Sequence, residues 1–533
     1  MKAIYTFAFL ASLSLGAEAQ NAFDAMDLAT KDLNGTARFV SMGGALGALG
    51  GDVSSMHTNP AGTALFRRST FVVGAGGMSS NENVLGQSNI KMSFDYIGAV
   101  FSFSEDPDEA PFKLGIGIKD DRNYFGNLGV NVGGLTIGGK PTFSQTYQIA
   151  DYANTAFAND AWGTLADLSA PRFSQDPNKC HEGILAIEEV TRNGRVDTMY
   201  CGIPAQSAQY YRATNGYNTV CDLNVSVNID DWCFIGANLG IHWMNMQRTS
   251  EYSEDGVYKV CEVDGKERYD DTHYLFENFY ETTGYGVDFK IGAIFRPFAD
   301  SPLRFGFTYK TPTAYSLTDR NSATLFYGAS SVSDRYDYSS YTISNGNYDY
   351  NYNDPWSINL SLGYTVGRNF AIGAEYEYED FSSANYSSAY ENVLDDLYFR
   401  KMNRVIKNIA KSQHTFRIGA EYKPTENVSL RLGYNYITSP YTTGAFKEVG
   451  YDSPHSETDW VNWKNVQRIT AGIGFRFDNC FLDFAYQYHM QKGDFYAFND
   501  FATDEVTKEK IYFESTEISA NRGKLQMTFG VRF

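Results

Sequence analysis

Six cysteines in 533 residues (Cys180, Cys201, Cys221, Cys233, Cys261 and Cys480) are too few to staple a chain of this size. Their spacings of 21, 20, 12, 28 and 219 contain no CxxC pair, which excludes the usual zinc sites. A loop disulfide between Cys180 and Cys201 is the expected pairing, the alternative being buried free thiols. Basic charge is also short: 44 Lys and Arg against 63 Asp and Glu leave a net charge of -19, so nucleic acid is not an expected partner. After residue 20 no apolar run approaches the roughly 18 residues that a spanning helix requires, so any membrane span must be β. There is no P-loop, dinucleotide fingerprint or HExxH, and seven histidines (His57, His181, His242, His273, His414, His455, His489) are scattered without a motif. The chain is expected to be no enzyme, with no catalytic residues, no cofactor and no bound metal.

What is present points one way. The amino end, MKAIYTFAFLASLSLGAEAQ, reads as a secretory signal over residues 1–19 with an A-x-A site at Ala17 and Ala19. Beyond it lie 39 Tyr, 38 Phe and 48 Gly against only 14 Pro, a composition of strands and tight turns. The last residues, KLQMTFGVRF, set Leu525, Met527, Phe529, Val531 and Phe533 on one face, and Gln526, Thr528, Gly530 and Arg532 on the other. The same period recurs in RITAGIGFRF, FLDFAYQYH, TFRIGAEY, VSLRLGYNY, SINLSLGY, NFAIGAEYEY, GYGVDFKIGAIF, LRFGFTYK and FIGANLGIHW.

The second face decides the class. A soluble sandwich would show Lys, Glu and Thr there, whereas this chain shows Gly mixed with single Arg, Asp, Glu and Asn. Lipid outside and a polar, packed lumen inside fit that pattern. An open sheet edge in hydrocarbon would leave backbone groups unpaired, so the sheet must close. Strands are placed near 70, 94, 112, 218, 233, 282, 302, 355, 369, 413, 427, 466, 480 and 523. The expected fold is therefore all-β: a 14-stranded antiparallel transmembrane barrel over 69–533, with both chain ends on the periplasmic side. In SFDYIGAVFSF the parity changes between Tyr96 and Ile97, which marks a bulge or a misplaced boundary.

Tight turns near Asn228, Pro297, Gly367, Pro424 and Asp478 alternate with long polar stretches at 125–215, 250–277, 317–352, 382–411, 440–463 and 492–520, as short periplasmic turns alternate with extracellular loops. Residues 391–411 read as a helix, and NDAWGTLADL and EGILAIEEV give the 125–215 insert helical patches. By parity His242 and His489 face the lumen. Asp288, Glu375, Glu421 and Asp483 lie among Lys290, Arg304, Arg417 and Arg431 as an internal ion-pair network. Residues 20–68 are too few for a domain, and too few for the large plug of an energy-coupled receptor. Asn59 before Pro60 reads as a helix cap with proline at the first helical position. A lumen of fourteen strands is wider than its side chains can fill, so this segment is expected to fold inside it as a hatch, the alternative being a periplasmic tail.

The run ARFVSMGGALGALGGDVSSMHTNPAGTALF, with Arg38, Gly43, Gly44, Asp52, Asn59, Pro60 and Ala61, resembles the amino-terminal hatch of the FadL/TodX-type outer-membrane transporters of hydrophobic compounds. TGYGVDFKIGAIFRPFADSPLRFGFTYKTPTAY and TFRIGAEYKPTENVSLRLGYNY are similar to later hairpins of that family, as is the closing strand. The resemblance implies passive uptake of a hydrophobic small molecule, such as a long-chain fatty acid or aromatic hydrocarbon, by a monomer in the outer membrane. It also implies a greasy site between hatch and wall, lined by Phe23, Phe39 and Met42, with Asn59, Pro60 and Ala61 in the hatch. Cargo would leave sideways into outer-membrane lipid, which spares an acyl chain about 0.8 kcal/mol per CH₂ of contact with water. The candidate gate is FKLGIGIKDD, where Gly115 and Gly117 mark a bend, unless they serve lumen packing. Phe533 resembles the terminal aromatic read by the barrel-assembly machinery. Since relatives in the superfamily serve secretion, the competing reading is a structural or secretion-associated barrel that binds protein partners.

Overall fold

The computed structural model describes residues 21–80, 90–103, 111–159, 167, 185–192, 195–263, 266–298, 301–330, 336–390, 393–447, 457–503 and 509–533. Each barrel strand pairs antiparallel with its neighbour in sequence, and the first pairs with the last. These strands are β1 (Thr70–Ser80), β2 (Ile90–Ser102), β3 (Phe112–Asn123), β4 (Ala205–Ile229), β5 (Cys233–Val263), β6 (Lys266–Phe295) and β7 (Arg304–Lys310, resumed over Ala314–Ser330). There follow β8 (Tyr336–Asn353, resumed over Ser357–Val366), β9 (Phe370–Glu379), β10 (Gln413–Tyr422), β11 (Val428–Ile437), β12 (Trp460–Arg476), β13 (Cys480–Tyr496) and β14 (Thr516–Arg532). Closure runs from Thr70 opposite Arg532 to Ser80 opposite Arg522, so the barrel has 14 strands and no open edge.

Burial follows the alternation. On β14, Leu525 is 59 % exposed and Met527 45 %, while Gln526 and Thr528 are 1 % and 0 % exposed. Leu239, Val287, Phe289, Phe305, Leu360, Ile418, Leu432 and Ile469 continue the outward apolar belt, while Asn238, Asp288, Lys290, Glu375, Glu421, Arg431 and Asp483 are buried inside. The bulge in β2 falls at Asp95, since Gly74 pairs with Tyr96 and Ala75 with Phe94; Asp95 and Tyr96 both turn inward as a result. The β4–β5 turn holds Asp230 and Asp231 at φ 48° and 55°, and Asn228 closes it by accepting from the Asp231 amide at 3.0 Å.

Several stretches read as polar loops are strand. β5 and β6 run for 31 and 30 residues, about three times the length a tilted strand needs to cross a bilayer. Their patterning changes above Trp243: the outward positions become Asn245, Gln247 and Thr249, and the inward ones Met244 and Met246. Above the membrane the barrel is a water-facing β structure whose interior combines an apolar core with a few buried polar groups such as Arg248 and Glu254. Leu128, Ile149, Tyr274, Phe276, Leu325, Phe495 and Phe498 share that upper core.

Helix α3 (Gln145–Asn159) packs into this core, and α4 (Val393–Ile409) forms where residues 391–411 read as helical. The segment EGILAIEEV was expected to be helical, but Ala186–Arg192 is a strand paired with Arg195–Cys201. The β-branched residues Val190, Thr191 and Val196, and the Asn193–Gly194 pair between them in sequence, favour a hairpin over the helical spacing of Ile184 and Ile187. The signal segment 1–19, most of NDAWGTLADL and Cys180, hence the Cys180–Cys201 pairing, lie outside the described residues.

The N-terminal segment lies inside the barrel. α1 (Ala22–Ala29) is capped by Asn21, whose side chain accepts from the amides of Phe23 and Asp24 at 2.9 and 3.0 Å. α2 (Ala37–Ser41) is capped by Thr36, and single turns over Val53–His57 and Pro60–Leu65 are capped by Asp52 and Asn59. The lumen-facing glycines explain how it fits. A Cβ at Gly236 would strike Pro60, at Gly373 the carbonyl of Ala45, at Gly419 that of Met42, and at Gly472 the Ser41 side chain. Successive strands thus offer bare backbone where the segment passes.

Candidate functional site

Polar groups fix the segment to the wall all round. Asn59 donates to the Ala293 carbonyl at 3.2 Å while accepting from the Ala61 amide at 3.1 Å. Arg304 donates to the Leu49 carbonyl at 2.8 Å, and Gln526 to that of Gly35 at 2.9 Å. Arg38 pairs with Glu421 at 3.1 Å, Glu421 with Arg431 at 2.6 Å, and Arg431 with Asp483 at 2.6 Å. Glu375 pairs with Arg417 at 3.4 Å and Asp288 with Lys290 at 3.5 Å. The lumen carboxylates named from the sequence therefore do form ion pairs with the basic residues beside them, Arg304 excepted. His242 faces the lumen and bonds Asp288 at 2.9 Å; His489 accepts from Arg468 at 3.2 Å.

Above the segment a cavity of ≈ 250 Å³ remains between it and the wall. Phe23 and Phe39 line it, whereas Met42, Asn59, Pro60 and Ala61 pack the segment against the barrel. Gly115 and Gly117 are on the lumen face of a fully paired stretch of β3, against Met56 and Tyr96. Phe533 is at the rim, 68 % exposed, its amide donating to the Ser69 carbonyl at 3.0 Å.

The cavity is not the greasy site that the resemblance implies. Twelve Lys and Arg side chains and nine Asp and Glu line it, a basic excess in a chain of net charge -19. Arg248 bridges Asp24 at 3.1 Å and Glu457 at 2.6 Å, and Lys31 meets Glu379 at 2.8 Å. Arg122 and Arg468 approach Asp32 at 3.7 and 4.0 Å. Burial pushes the Asp32 carboxyl up, but Arg122, Arg522 and Arg468 outweigh it and hold it down at about 2. Apolar surface is supplied by rings: Phe23 stacks on Tyr441 at 5.4 Å and tilts against Trp460 at 6.4 Å, and Trp460 stacks on Tyr496 at 4.7 Å. Arg468 was legible as an inward residue, since Ile469 faces out. Arg248 and Trp460 were not, because the strands that carry them extend well past their lipid-facing part.

The wall beside the cavity is incompletely paired. β2 pairs with β3 only from Tyr96 to Ser102, opposite Lys119 to Lys113. Beyond that, Ile90–Phe94 pair with β1 and Arg122–Asn123 with β4, leaving an opening between the two strands. A pocket of ≈ 30 Å³ lies there, lined by Ser93, Phe94, Asp120, Asn123 and Lys524, and it shares Asp32, Leu33, Asn34, His489 and Arg522 with the main cavity. Lys91 reaches across the opening to Asn215 at 3.4 Å and lies over the Phe125 ring at 5.0 Å.

Similar solved structures include the monoaromatic hydrocarbon channel CymD (10 % identity, covering 95 % of this chain and 99 % of that one, TM-score 0.45). The Ralstonia pickettii toluene transporter TbuX (12 %, 94 % and 99 %, 0.45) and a Pseudomonas aeruginosa FadL homologue (11 %, 94 % and 99 %, 0.46) are similar in the same way. No protein-family model and no curated protein matches the chain in sequence. The fold rests on the closed strand pairing of the chain itself.

Proposed function

We propose that the protein is an outer-membrane channel for passive uptake of a small compound with a hydrophobic part, held between hatch and wall and released sideways into lipid. The observation that carries this reading is the pair of neighbouring spaces, the hatch cavity and the small pocket beside the opening between β2 and β3, which share Asp32, Leu33 and Asn34 as lining. Lateral release keeps the apolar part of the cargo out of water, worth about 25 cal/mol per Å² of apolar surface. The gate in this reading is the unpaired β2–β3 margin under Lys91, with Gly115 and Gly117 supporting the paired part of β3 beside it. Asn59, Pro60 and Ala61 seat the hatch.

Radiolabelled toluene equilibrating across proteoliposomes tests the route. Ser93→Trp, which fills the small pocket at the opening, is expected to stop uptake while binding in detergent persists. Uptake undiminished by that substitution would show that cargo leaves elsewhere. Phe533 is assigned to assembly rather than transport: its deletion is expected to reduce the barrel recovered from the membrane, and to leave ligand affinity in the surviving fraction unchanged.

A further inference from the structure

The cavity contains three buried donors in search of an acceptor. Arg122 Nε, the Tyr124 hydroxyl and Trp460 Nε1 have no hydrogen-bond partner among the described residues, and all three side chains line the space. Tyr124 and Trp460 are only 3 % and 4 % exposed. An orphaned buried donor costs about 1–3 kcal/mol, so three at one cavity describe a site built for something that accepts hydrogen bonds.

Two further properties narrow what that is. Arg122 stands over the Tyr124 ring at 5.6 Å and approaches Asp27 at 3.6 Å and Asp32 at 3.7 Å, while Arg468 reaches Asp32 at 4.0 Å and Arg522 lines the same end, so three guanidinium groups face two carboxylates. Tyr124 and Trp460 belong to one buried cluster with Phe23 and Tyr441, in which the Phe23–Tyr441 and Phe23–Trp460 ring pairs offer flat surface rather than a channel for a chain. The volume of ≈ 250 Å³ lies below the roughly 300–1,000 Å³ usual for ligand pockets, which favours a compact molecule over an extended acyl tail.

We propose that this cavity binds a small aromatic carboxylate, its carboxylate oxygens accepting from Arg122, Tyr124 and Trp460 and its ring lying against the Phe23–Tyr441 stack. This deepens the uptake reading by naming the class of cargo, and it rests on that reading only for the route, not for the binding. A neutral hydrocarbon leaves the donors orphaned, and a long-chain acid leaves most of its tail without a place.

Calorimetric titration of the full chain in detergent with benzoate, toluene and dodecanoate tests it. Benzoate is expected to bind saturably, more tightly than either of the others. Tyr124→Phe, which keeps its ring, and Trp460→Phe, which keeps an aromatic side chain, remove the donors and are expected to weaken benzoate about tenfold each and to leave toluene unaffected. Toluene or dodecanoate binding as tightly as benzoate, or both variants binding benzoate as the parent does, would overturn the proposal. Benzoate that binds with this profile but does not enter proteoliposomes would overturn the uptake reading and leave the site standing.

Discussion

The two halves of β5 and β6 are made of the same strands and face opposite solvents. In the lower half Leu239, Val287 and Phe289 point outward to lipid, and Asn238, His242, Asp288 and Lys290 point inward. In the upper half the inward positions are Met244, Met246, Tyr274, Phe276 and Tyr280, and the outward ones Gln247, Thr249 and Glu277. The switch falls near Trp243, an amphipathic ring suited to the interface. The lower half is held by backbone pairing that cannot open in hydrocarbon, by glycines that admit the hatch, and by ion pairs. The upper half is held by burial of apolar side chains, as in a soluble domain. Alternation alone thus gives no direction; which face is apolar reports the solvent.

That contrast can be broken at either end. The largest effect is expected from Phe276→Ala, 1 % exposed in the upper core: truncating a buried Phe costs about 3–5 kcal/mol, here confined to the extracellular part. Limited proteolysis should cut the upper strands while the membrane-embedded barrel keeps its heat-modifiable gel mobility. Leu239→Arg, on the lipid face, should cost about 2–4 kcal/mol in urea refolding into vesicles.

A pH effect follows, and it too belongs to the upper half. Glu254, on β5 well beyond Trp243, accepts from the Gln145 amide at 3.1 Å and from the Tyr252 hydroxyl at 2.6 Å, and also from the Ser144 hydroxyl. Burial pushes its carboxyl up to about 7, against these hydrogen bonds, from an ordinary 4.5. The folded form therefore holds the proton more tightly than the unfolded chain, and stability falls as pH rises from about 4.5 to about 7. Burial likewise raises Asp500 to about 6, which adds in the same sense. Protease resistance of the upper strands should be about 2–3 kcal/mol better at pH 5 than at pH 8, and Glu254→Gln should remove most of that slope. The smallest effect is expected from Gln247→Arg, on the same strand face as Leu239 but above the belt; it should stay within about 0.5 kcal/mol of the parent. A loss matching that of Leu239→Arg would move the membrane boundary upward.

The lower half was legible in the sequence because lipid imposes one rule on every strand. Fourteen strands, the Asp95 bulge region, the buried ion pairs and the hatch cap at Asn59 all follow from alternation, closure and capping chemistry. The upper half was not. There the apolar face turns inward, tyrosines and polar residues occupy both faces of runs such as YDYSSYTISNGNYDYNYN, and the pattern reads as loop. The cavity was missed for a related reason: Arg122 follows the irregularity at Asp121 in β3, and Trp460 stands at the entrance of a strand whose lipid-facing part begins later. Glycines on the lumen face were visible, but their partner, the hatch backbone, is remote in sequence.

A structure of the full chain determined with benzoate tests the account most directly. Ligand density is predicted between the hatch and the wall, with oxygens at Arg122, Tyr124 and Trp460 and the ring beside Phe23 and Tyr441. Density confined to the outer lipid-facing surface, with the cavity holding ordered water on those three donors, would contradict it.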